Sequence, residues 1–156
     1  MRLTTKGRFA VTAMLDVALY GQSSPVSLNA VSERQNISLS YLEQLFGKLR
    51  RAGLVESIRG PGGGYVLGQA AAAINVAQII DVVEDRFDAT QCNGKSNCRE
   101  GARCLTHDLW ENLNHTIRGY LNGVSLQDLL DQKQAAGVGR TIALNPMPAA
   151  KHKQTR

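Results

Sequence analysis

All three cysteines of this chain, and one of its three histidines, fall within a single stretch of sixteen residues, CNGKSNCREGARCLTH. The spacing is C-x5-C-x5-C-x2-H, formed by Cys92, Cys98, Cys104 and His107. Thiolates and imidazoles are ligands for zinc and for iron–sulfur clusters. Glycines and polar residues separate the four side chains, so the segment is flexible enough to bring them to one centre. Cys104 and His107 stand three residues apart where a long helix is expected to begin, which predicts that they share one helical face.

The spacing alone leaves three interpretations of this segment open. A structural zinc site suits three cysteines and a histidine, but such sites usually contain a cysteine pair separated by only two to four residues. The two gaps of five residues therefore weaken the zinc interpretation. A [2Fe-2S] cluster takes four protein ligands, and longer gaps suit ligands that reach around two metals. Exposed thiols of low pKa can also form a disulfide switch without any metal. Zinc and an iron–sulfur cluster are about equally supported at this point.

Catalysis by a Cys104–His107 pair would require a third, orienting group and a pocket. The sequence indicates neither, so we expect that the protein is not an enzyme. No apolar run reaches the roughly 18 residues that a membrane span needs, and the N-terminus has no apolar signal-peptide region. We therefore expect a cytoplasmic protein without membrane association, in a compartment where clustered thiols more often bind metal or do redox chemistry than form disulfides.

The net charge of +5 is distributed unevenly along the 156 residues. Residues 1–68 contain 8 basic and 4 acidic side chains, residues 69–134 contain 6 and 9, and residues 135–156 contain 4 and none. A basic first part predicts contact with a polyanion. We divide the chain accordingly into a DNA-binding domain, a linker helix with the cysteine segment and dimerisation helices, and a basic tail. The tail lacks periodicity, which predicts disorder.

The first part has the pattern of a winged helix-turn-helix. A helix starting at Thr4 or Thr5 is followed by a short helix from Ser27 and a third helix beginning at Ser38 or Ser40, because either serine can cap it. In such a pair the second helix enters the major groove of DNA. Next, LVESIRGPGGGYVLG predicts a β-hairpin with strands at Leu54–Ile58 and Tyr65–Leu67. A phosphate-binding loop is the competing interpretation, but GPGGG lacks the Lys-Ser/Thr ending of that motif.

Candidate DNA contacts follow from the exposed face of the third helix and from the hairpin tip. Glu43 can accept a hydrogen bond from cytosine, Gln44 can pair with adenine, and Ser40 can contact either base. Lys48 and Arg50 suit phosphates, and Arg59 suits a narrow minor groove. The alternative is that Ser40 and Glu43 only cap the helix. The predicted DNA-binding residues are Ser38, Ser40, Tyr41, Glu43, Gln44, Lys48, Arg50, Arg59 and Gly60.

Three further helices are predicted after the hairpin. INVAQIIDVVEDRF is amphipathic, with Asn75 as its cap, and is expected to pack against the winged domain. A long helix then carries an apolar seam, and a short helix capped by Ser125 follows. The seam either packs internally or forms a dimer interface, and the second is favoured because helix-turn-helix proteins commonly bind two half-sites as two-fold dimers. The predicted interface residues are Trp110, Leu113, Ile117 and Tyr120. The predicted fold is thus mainly α, a winged helix-turn-helix domain with a β-hairpin wing plus a long C-terminal dimerisation helix.

Three stretches, MRLTTKGRFAVTAMLDVAL, SLSYLEQLFGKLRRAGLVESIRGPGGGYVL and the cysteine–histidine segment, resemble the IscR family of iron–sulfur cluster regulators. The resemblance extends from Met1 to about Gln134. It implies a homodimeric winged-helix transcription factor that binds double-stranded DNA operators. It also implies a [2Fe-2S] cluster, donated by the assembly machinery and held by Cys92, Cys98, Cys104 and His107.

The resemblance further implies that the protein controls iron–sulfur cluster assembly genes, mainly as a repressor, with activation of other genes left open. Both the cluster-bound and the cluster-free form are expected to bind DNA. Related regulators sense nitric oxide and use a carboxylate ligand. His107 argues against that branch, although Asp108 and Glu100 lie close by in the sequence. A zinc- or thiol-based regulator is the alternative, and an electron carrier is a further one that would not need a recognition helix and wing.

Overall fold

The computed structural model describes residues 4–84 and 88–137, so most of the predicted tail lies outside the described residues. The fold is mainly α with one antiparallel hairpin, as predicted. The helices are α1 (Thr5–Tyr20), α2 (Leu28–Gln35), α3 (Leu39–Arg51), α4 (Val76–Val83), α5 (His107–Asn122) and α6 (Leu126–Gly137). The strands are β1 (Val55–Ile58) and β2 (Gly64–Leu67), followed by a short 3-10 turn at Ala71–Ala73. Helix α6 continues through the first three residues of the predicted tail.

Side-chain caps set the starts of the helices around the turn. The Ser27 hydroxyl accepts a hydrogen bond from the Ala30 amide at the start of α2. The Ser38 hydroxyl accepts one from the Tyr41 amide, so α3 begins after Ser38 and not after Ser40. Because the cap supplies an acceptor to an amide that lacks a helical partner, it stabilises the helix at that residue. The choice between the two serines is thereby resolved.

Helix α4 begins with a capping box. The Asn75 side chain accepts from the Gln78 amide, and the Gln78 side chain accepts from the Asn75 amide, both at 2.9 Å. Helix α6 begins in the same way with Ser125 and Asp128. The predicted caps at Asn75 and Ser125 are therefore confirmed. Each reciprocal pair stabilises its helix by giving two backbone amides a hydrogen-bond acceptor.

Helix α1 takes its N-terminal partner from a distant part of the chain. No side-chain cap forms at Thr4 itself. Instead the Glu84 carboxylate accepts from the Gly7 amide at 2.6 Å and from the Thr4 hydroxyl. A negative charge at this end also stabilises the helix dipole. The end of α4 is thus joined to the start of α1.

The wing is a short hairpin anchored through the first residues of its second strand. Val55 pairs with Leu67, and Ile58 pairs with Gly64. Tyr65 also forms a two-way backbone bridge with Val26, with N···O distances of 2.9 and 2.7 Å. A Cβ atom at Gly64 would lie 2.4 Å from the Val26 backbone, so only glycine permits this close approach.

One hydrophobic core extends from α1 to α6. Its fully buried side chains include Met14 from α1, Leu42 and Phe46 from α3, and Ile79 from α4. Leu126 of α6 belongs to the same core. The predicted packing of α4 against the winged part is therefore observed. The last helix before the cysteine segment, α4, thus packs against both α1 and α3.

A buried carboxylate joins the first two helices. The Asp16 side chain is fully shielded from solvent and accepts two hydrogen bonds from the Arg34 guanidinium, at 2.7 and 3.0 Å. Gln35 donates a third at 2.7 Å. A bidentate arginine–carboxylate pair has a defined orientation, so it holds α2 at a set angle to α1.

Candidate nucleic-acid face and metal centre

The outer face of α3 is exposed at its N-terminal half. Ser40, Glu43, Gln44 and Lys48 are all exposed, while the opposite stripe of the helix is buried in the core. Ser38 is also exposed, but its hydroxyl oxygen is engaged in the helix cap. The side chains predicted to reach DNA bases are therefore available for contact.

Tyr41 differs from the other predicted DNA contacts because it is half-buried. Its ring packs edge-on against Phe9 of α1, with 5.8 Å between ring centroids. Burial raises the pKa of the Tyr41 hydroxyl, and the charge of Glu84 raises it further. Tyr41 thus links α3 to α1 rather than standing free on the outer face.

Basic side chains and glycines extend this surface beyond α3. Arg50 at the end of α3 and Arg59 at the hairpin turn are both exposed. Gly60 follows Arg59 with φ of +103°, a conformation that favours glycine and makes the tight turn possible. The exposed cations suit contact with phosphates.

The cysteine segment is anchored to α5 at its start. Asn114 accepts from the Ala89 amide at 2.7 Å and donates to the Asp88 carboxylate at 2.8 Å. Thr90 donates to the same carboxylate oxygen of Asp88 through its hydroxyl and its amide. These hydrogen bonds, chiefly that of the Thr90 hydroxyl, lower the pKa of Asp88. The backbone just before Cys92 is therefore held against α5 by the side chains of Asp88 and Asn114.

Three of the four predicted ligands converge. One ligand atom from each of Cys92, Cys98 and His107 lies within 4.8 Å of the others. The Nδ1 atom of His107 is 3.5 Å from the Cys92 sulfur and 3.6 Å from the Cys98 sulfur. His107 is only 2% exposed, and Cys92 is 7% exposed. The segment reaches this arrangement through left-handed residues, among them Gly94 and Gly101.

Cys104 lies beside this group but outside it. Its amide donates to the Cys98 sulfur at 3.1 Å, and its own sulfur is 3.8 Å from the Thr106 hydroxyl. Cys98, Cys104 and His107 line a common cavity of about 340 Å³ together with Trp110. Helix α5 begins at His107, and Cys104 precedes it in a turn. The prediction of a shared helical face is wrong, because the chain has not yet become helical at Cys104.

The three thiols influence one another's ionisation. Burial opposes ionisation of Cys92, but hydrogen bonds from Thr90 and from backbone amides outweigh it and lower the pKa of Cys92 to about 7. The Cys98 thiol lowers the pKa of Cys104. The Cys104 amide favours ionisation of Cys98, but the neighbouring thiols and burial outweigh it and raise its pKa. Thiolates are the metal-binding form of cysteine, so the lowered pKa values of Cys92 and Cys104 favour ligation by these two residues, whereas the raised pKa of Cys98 does not.

The converging donors fit a soft metal centre. Two thiols and an imidazole within ligand distance of one another, with a third thiol on the same cavity, match the ligand types of zinc and of iron–sulfur clusters. The free cysteines form no disulfide with one another. The geometry therefore supports a metal centre and is compatible with both zinc and an iron–sulfur cluster.

Two side chains near His107 were not predicted. The Nε2 atom of His107 is 3.3 Å from the Ser96 hydroxyl and 3.9 Å from a carboxylate oxygen of Glu111. Glu111 stands four residues after His107 on α5, so its proximity follows from helical spacing and was open to prediction. Nothing in the sequence indicates the position of Ser96, because it depends on the path of the loop.

A family model described as Rrf2, iron-dependent transcriptional regulator, matches residues 3–132. The chain belongs to the Rrf2 family. A Neisseria meningitidis protein named as an HTH-type transcriptional regulator is 68% identical to this Rrf2-family chain over 142 residues, 91% of this chain and 96% of the relative. The HTH-type transcriptional regulator IscR of Photorhabdus laumondii is 56% identical over 138 residues, 88% of this chain and 84% of the relative.

Solved structures agree with the Rrf2-family assignment. T. potens IscR superimposes with a TM-score of 0.72 at 35% identity, covering 91% of this chain and 93% of that one. CymR, the global cysteine regulator of B. subtilis, superimposes with a TM-score of 0.74 at 35% identity, covering 84% of this chain and 97% of CymR. The winged-helix fold is thereby confirmed, and the Rrf2-family chain is a helix-turn-helix transcription regulator, not an enzyme. Within the described residues, no helix combines the length and apolar character needed to cross a membrane.

Proposed function

We propose that this protein is a cytoplasmic, homodimeric repressor of iron–sulfur cluster assembly genes that senses cluster supply through a [2Fe-2S] cluster. The observation that carries the proposal is the convergence of Cys92, Cys98 and His107 within 4.8 Å. The same chain has a winged-helix fold and relatives named IscR. The proposal extends the family's role in transcription to a specific signal and a specific set of genes.

Cys92, Cys98, Cys104 and His107 would hold the cluster. Bound there, a [2Fe-2S] cluster supplies a group whose presence depends on iron and sulfide and whose charge depends on redox state. Cys92 and His107 are already buried and in contact, so they form the preorganised part of the site. Cys104 lines the same cavity as Cys98 and His107 without belonging to the group of three donors within 4.8 Å, so we expect its turn before α5 to be the segment that responds to ligation.

The contacts of α4 provide a route from the cysteine segment to the DNA-binding face. Glu84 ends α4 and caps α1, and α4 packs against both α1 and α3. Tyr41 of α3 contacts Phe9 of α1. Our hypothesis is that ligation orders the segment between α4 and α5 and so shifts α3 or its outward side chains. Operator preference would change with cluster occupancy.

We assign DNA contact to residues of α3, its cap and the wing, all of which are exposed except the half-buried Tyr41. The assigned residues are Ser38, Ser40, Tyr41, Glu43, Gln44, Lys48, Arg50, Arg59 and Gly60. Glu43 is central to specificity, because a carboxylate near phosphates is tolerated only opposite a partner such as a cytosine amino group. The half-burial of Tyr41 gives it mainly a positioning role.

The decisive test is made on protein purified without oxygen. Its visible absorption is recorded, and iron, sulfide and zinc are assayed on the same sample. We expect about two iron and two sulfide per chain with thiolate-to-iron absorption bands. Colourless protein with one zinc per chain would refute the cluster and identify a structural zinc site. Alanine variants of Cys92 and His107 are expected to lose the colour, with Asn97→Ala as an exposed control in the same segment.

Glu43 gives a separate test of operator choice. Binding of Glu43→Ala to a panel of operators that differ in their C·G pairs is compared with that of the unchanged protein. We expect the variant to accept sites that the unchanged protein rejects, a change of about 1–3 kcal/mol per discriminated pair. Glu33→Ala, an exposed acidic residue of α2, is the control for net charge. An unchanged ranking of operators would contradict the role of Glu43.

A further inference from the structure

We propose that Ser96 and Glu111 position His107 by holding its ring proton on Nε2, so that Nδ1 is the atom presented to metal. The inference deepens the proposed function, because it names the residues that prepare one ligand of that site. It depends on the proposed function only for the identity of the metal.

The two nitrogens of His107 face different surroundings. Nδ1 lies 3.5 Å from the Cys92 sulfur and 3.6 Å from the Cys98 sulfur. Nε2 lies 3.3 Å from the Ser96 hydroxyl and 3.9 Å from a carboxylate oxygen of Glu111. The ring is almost completely buried, so these protein groups dominate the surroundings of both nitrogens.

The chemistry of these neighbours selects one tautomer. A neutral imidazole carries one N–H, and a carboxylate can only accept a hydrogen bond. A proton on Nε2 can be donated to Ser96 and is attracted by Glu111, while the lone pair of Nδ1 accepts from the S–H group of a protonated Cys92 or Cys98 thiol. A proton on Nδ1 would instead turn the lone pair of Nε2 toward the carboxylate, which is repulsive. Metal-binding histidines commonly donate their second N–H to such an oxygen partner.

Glu111 is itself held in this position. It stands one helical turn after His107 on α5, and Arg103 contacts its carboxylate at 3.4 Å. Arg103 also pairs with Asp108. The Glu111 side chain is 41% exposed, so its own electrostatic effect is screened. The Ser96 hydroxyl therefore supplies the hydrogen bond, and Glu111 adds a bias in the same direction.

The first experiment reads the tautomer directly. The ring nitrogens of ¹⁵N-histidine-labelled, reduced, metal-free protein are observed by NMR, and His107→Gln identifies the His107 signals by their loss. We expect the Nε2–H form in the unchanged protein. The double variant Ser96→Ala/Glu111→Gln is expected to shift toward the Nδ1–H form. Ser96→Asn retains a side-chain oxygen that can accept a hydrogen bond and tolerates the left-handed backbone at this position (φ of +57°), so it is expected to keep the original tautomer.

The second experiment uses Zn²⁺ as a probe in competition with a chelator. We expect the double variant to bind Zn²⁺ at least about tenfold more weakly, as is typical when the outer partner of a histidine ligand is lost. Glu100→Gln, an exposed acidic residue of the same segment, is expected to match the unchanged protein. Circular dichroism confirms that each variant is folded.

The outcomes separate this inference from the proposed function. An Nδ1–H form in the unchanged protein overturns the positioning role even if every variant fails to fold. A double variant with an unchanged tautomer and unchanged Zn²⁺ affinity also overturns it. Protein that shows the Nε2–H form and the expected variant effects, but contains no iron and sulfide when purified without oxygen, supports the positioning role and refutes the cluster.

Discussion

At the scale of single residues, Asp16 carries a charge into the protein interior, where burial of a carboxylate is costly unless it is paired. Arg34 and Gln35 together donate three hydrogen bonds to it. Arg34 also lies over the ring of Tyr20, 4.1 Å from its centroid. The interaction thus joins the last turns of α1 to the C-terminal end of α2, the pair of helices that precedes the recognition helix.

Replacing Asp16 tests this ion pair. We expect Asp16→Ala to lower the free energy of unfolding by about 1–3 kcal/mol, because three hydrogen bonds to a buried carboxylate are lost while Arg34 itself remains partly solvated. Chemical denaturation followed by circular dichroism measures the change. Glu33→Ala, an exposed acid on α2, is expected to change stability by less than about 0.5 kcal/mol. Equal effects of the two substitutions would show that the pair contributes nothing specific.

Asn114 is the second residue whose contacts reach across the fold, since it holds Asp88 and Ala89 beside α5. We expect Asn114→Ala to cost about 1–2 kcal/mol of stability, because two hydrogen bonds are lost. Amide hydrogen exchange in the metal-free protein is expected to accelerate at residues 89–94. Asn112→Ala, an exposed position on the same helix, is the control. Unchanged exchange in that segment would mean that other contacts anchor it.

At the scale of secondary-structure elements, the wing depends on a backbone contact with the segment before α2. Tyr65 bridges to Val26 and packs edge-on against Phe46 of α3, with 4.9 Å between ring centroids. The hairpin is therefore connected to α3 and to the segment that leads into α2. A two-stranded hairpin is marginal alone, so this connection is what stabilises the wing.

Glycine substitutions distinguish close approach from simple flexibility. We expect Gly64→Ala to destabilise the protein by about 1–3 kcal/mol, since its Cβ would lie 2.4 Å from the Val26 backbone and atoms must shift. Gly47→Ala in α3 has open space around the new methyl group and is expected to add about 0.5–1 kcal/mol through helix propensity. Thermal unfolding measures both. A Gly64→Ala protein as stable as the original would contradict the close approach.

At the scale of the whole molecule, α5 stands out because His107 is its only buried residue. Asp81 and Arg118 form a bidentate ion pair that joins α4 to α5. The predicted interface residues are left partly uncovered: Trp110, Leu113 and Ile117 are half-exposed, and Tyr120 is 52% exposed. An apolar face of this kind is expected to be covered by a second copy, since two-fold dimers match two-fold operators.

A charged substitution on this face tests the dimer. We expect the unchanged protein to sediment as a dimer and Ile117→Glu to sediment as a monomer, because a carboxylate would have to be desolvated at the interface. Helix content measured by circular dichroism should be retained. Asn112→Glu, an exposed position on α5, is expected to remain dimeric. If Ile117→Glu also remained dimeric, the interface would lie elsewhere.

Local features of this protein were accessible from its sequence. The helices, the hairpin and the caps at Ser27, Asn75 and Ser125 follow from residue periodicity and from hydrogen bonds between residues at most four apart. The start of α3 was left between two serines because both satisfy the same local rule. The structure shows that Ser38 is the cap, since its hydroxyl accepts from the Tyr41 amide.

The arrangement of the site required the tertiary structure. The sequence alone identified the four candidate ligands, but only the structure shows that Cys92, Cys98 and His107 converge within 4.8 Å while Cys104 stands beside them on the same cavity. The contacts of Ser96 with His107 and of Glu84 with Gly7 join residues 11 and 77 positions apart. Such contacts depend on how helices pack and how a loop folds back between them. Local propensities carry no information about either, so these contacts are decided only when the whole core forms.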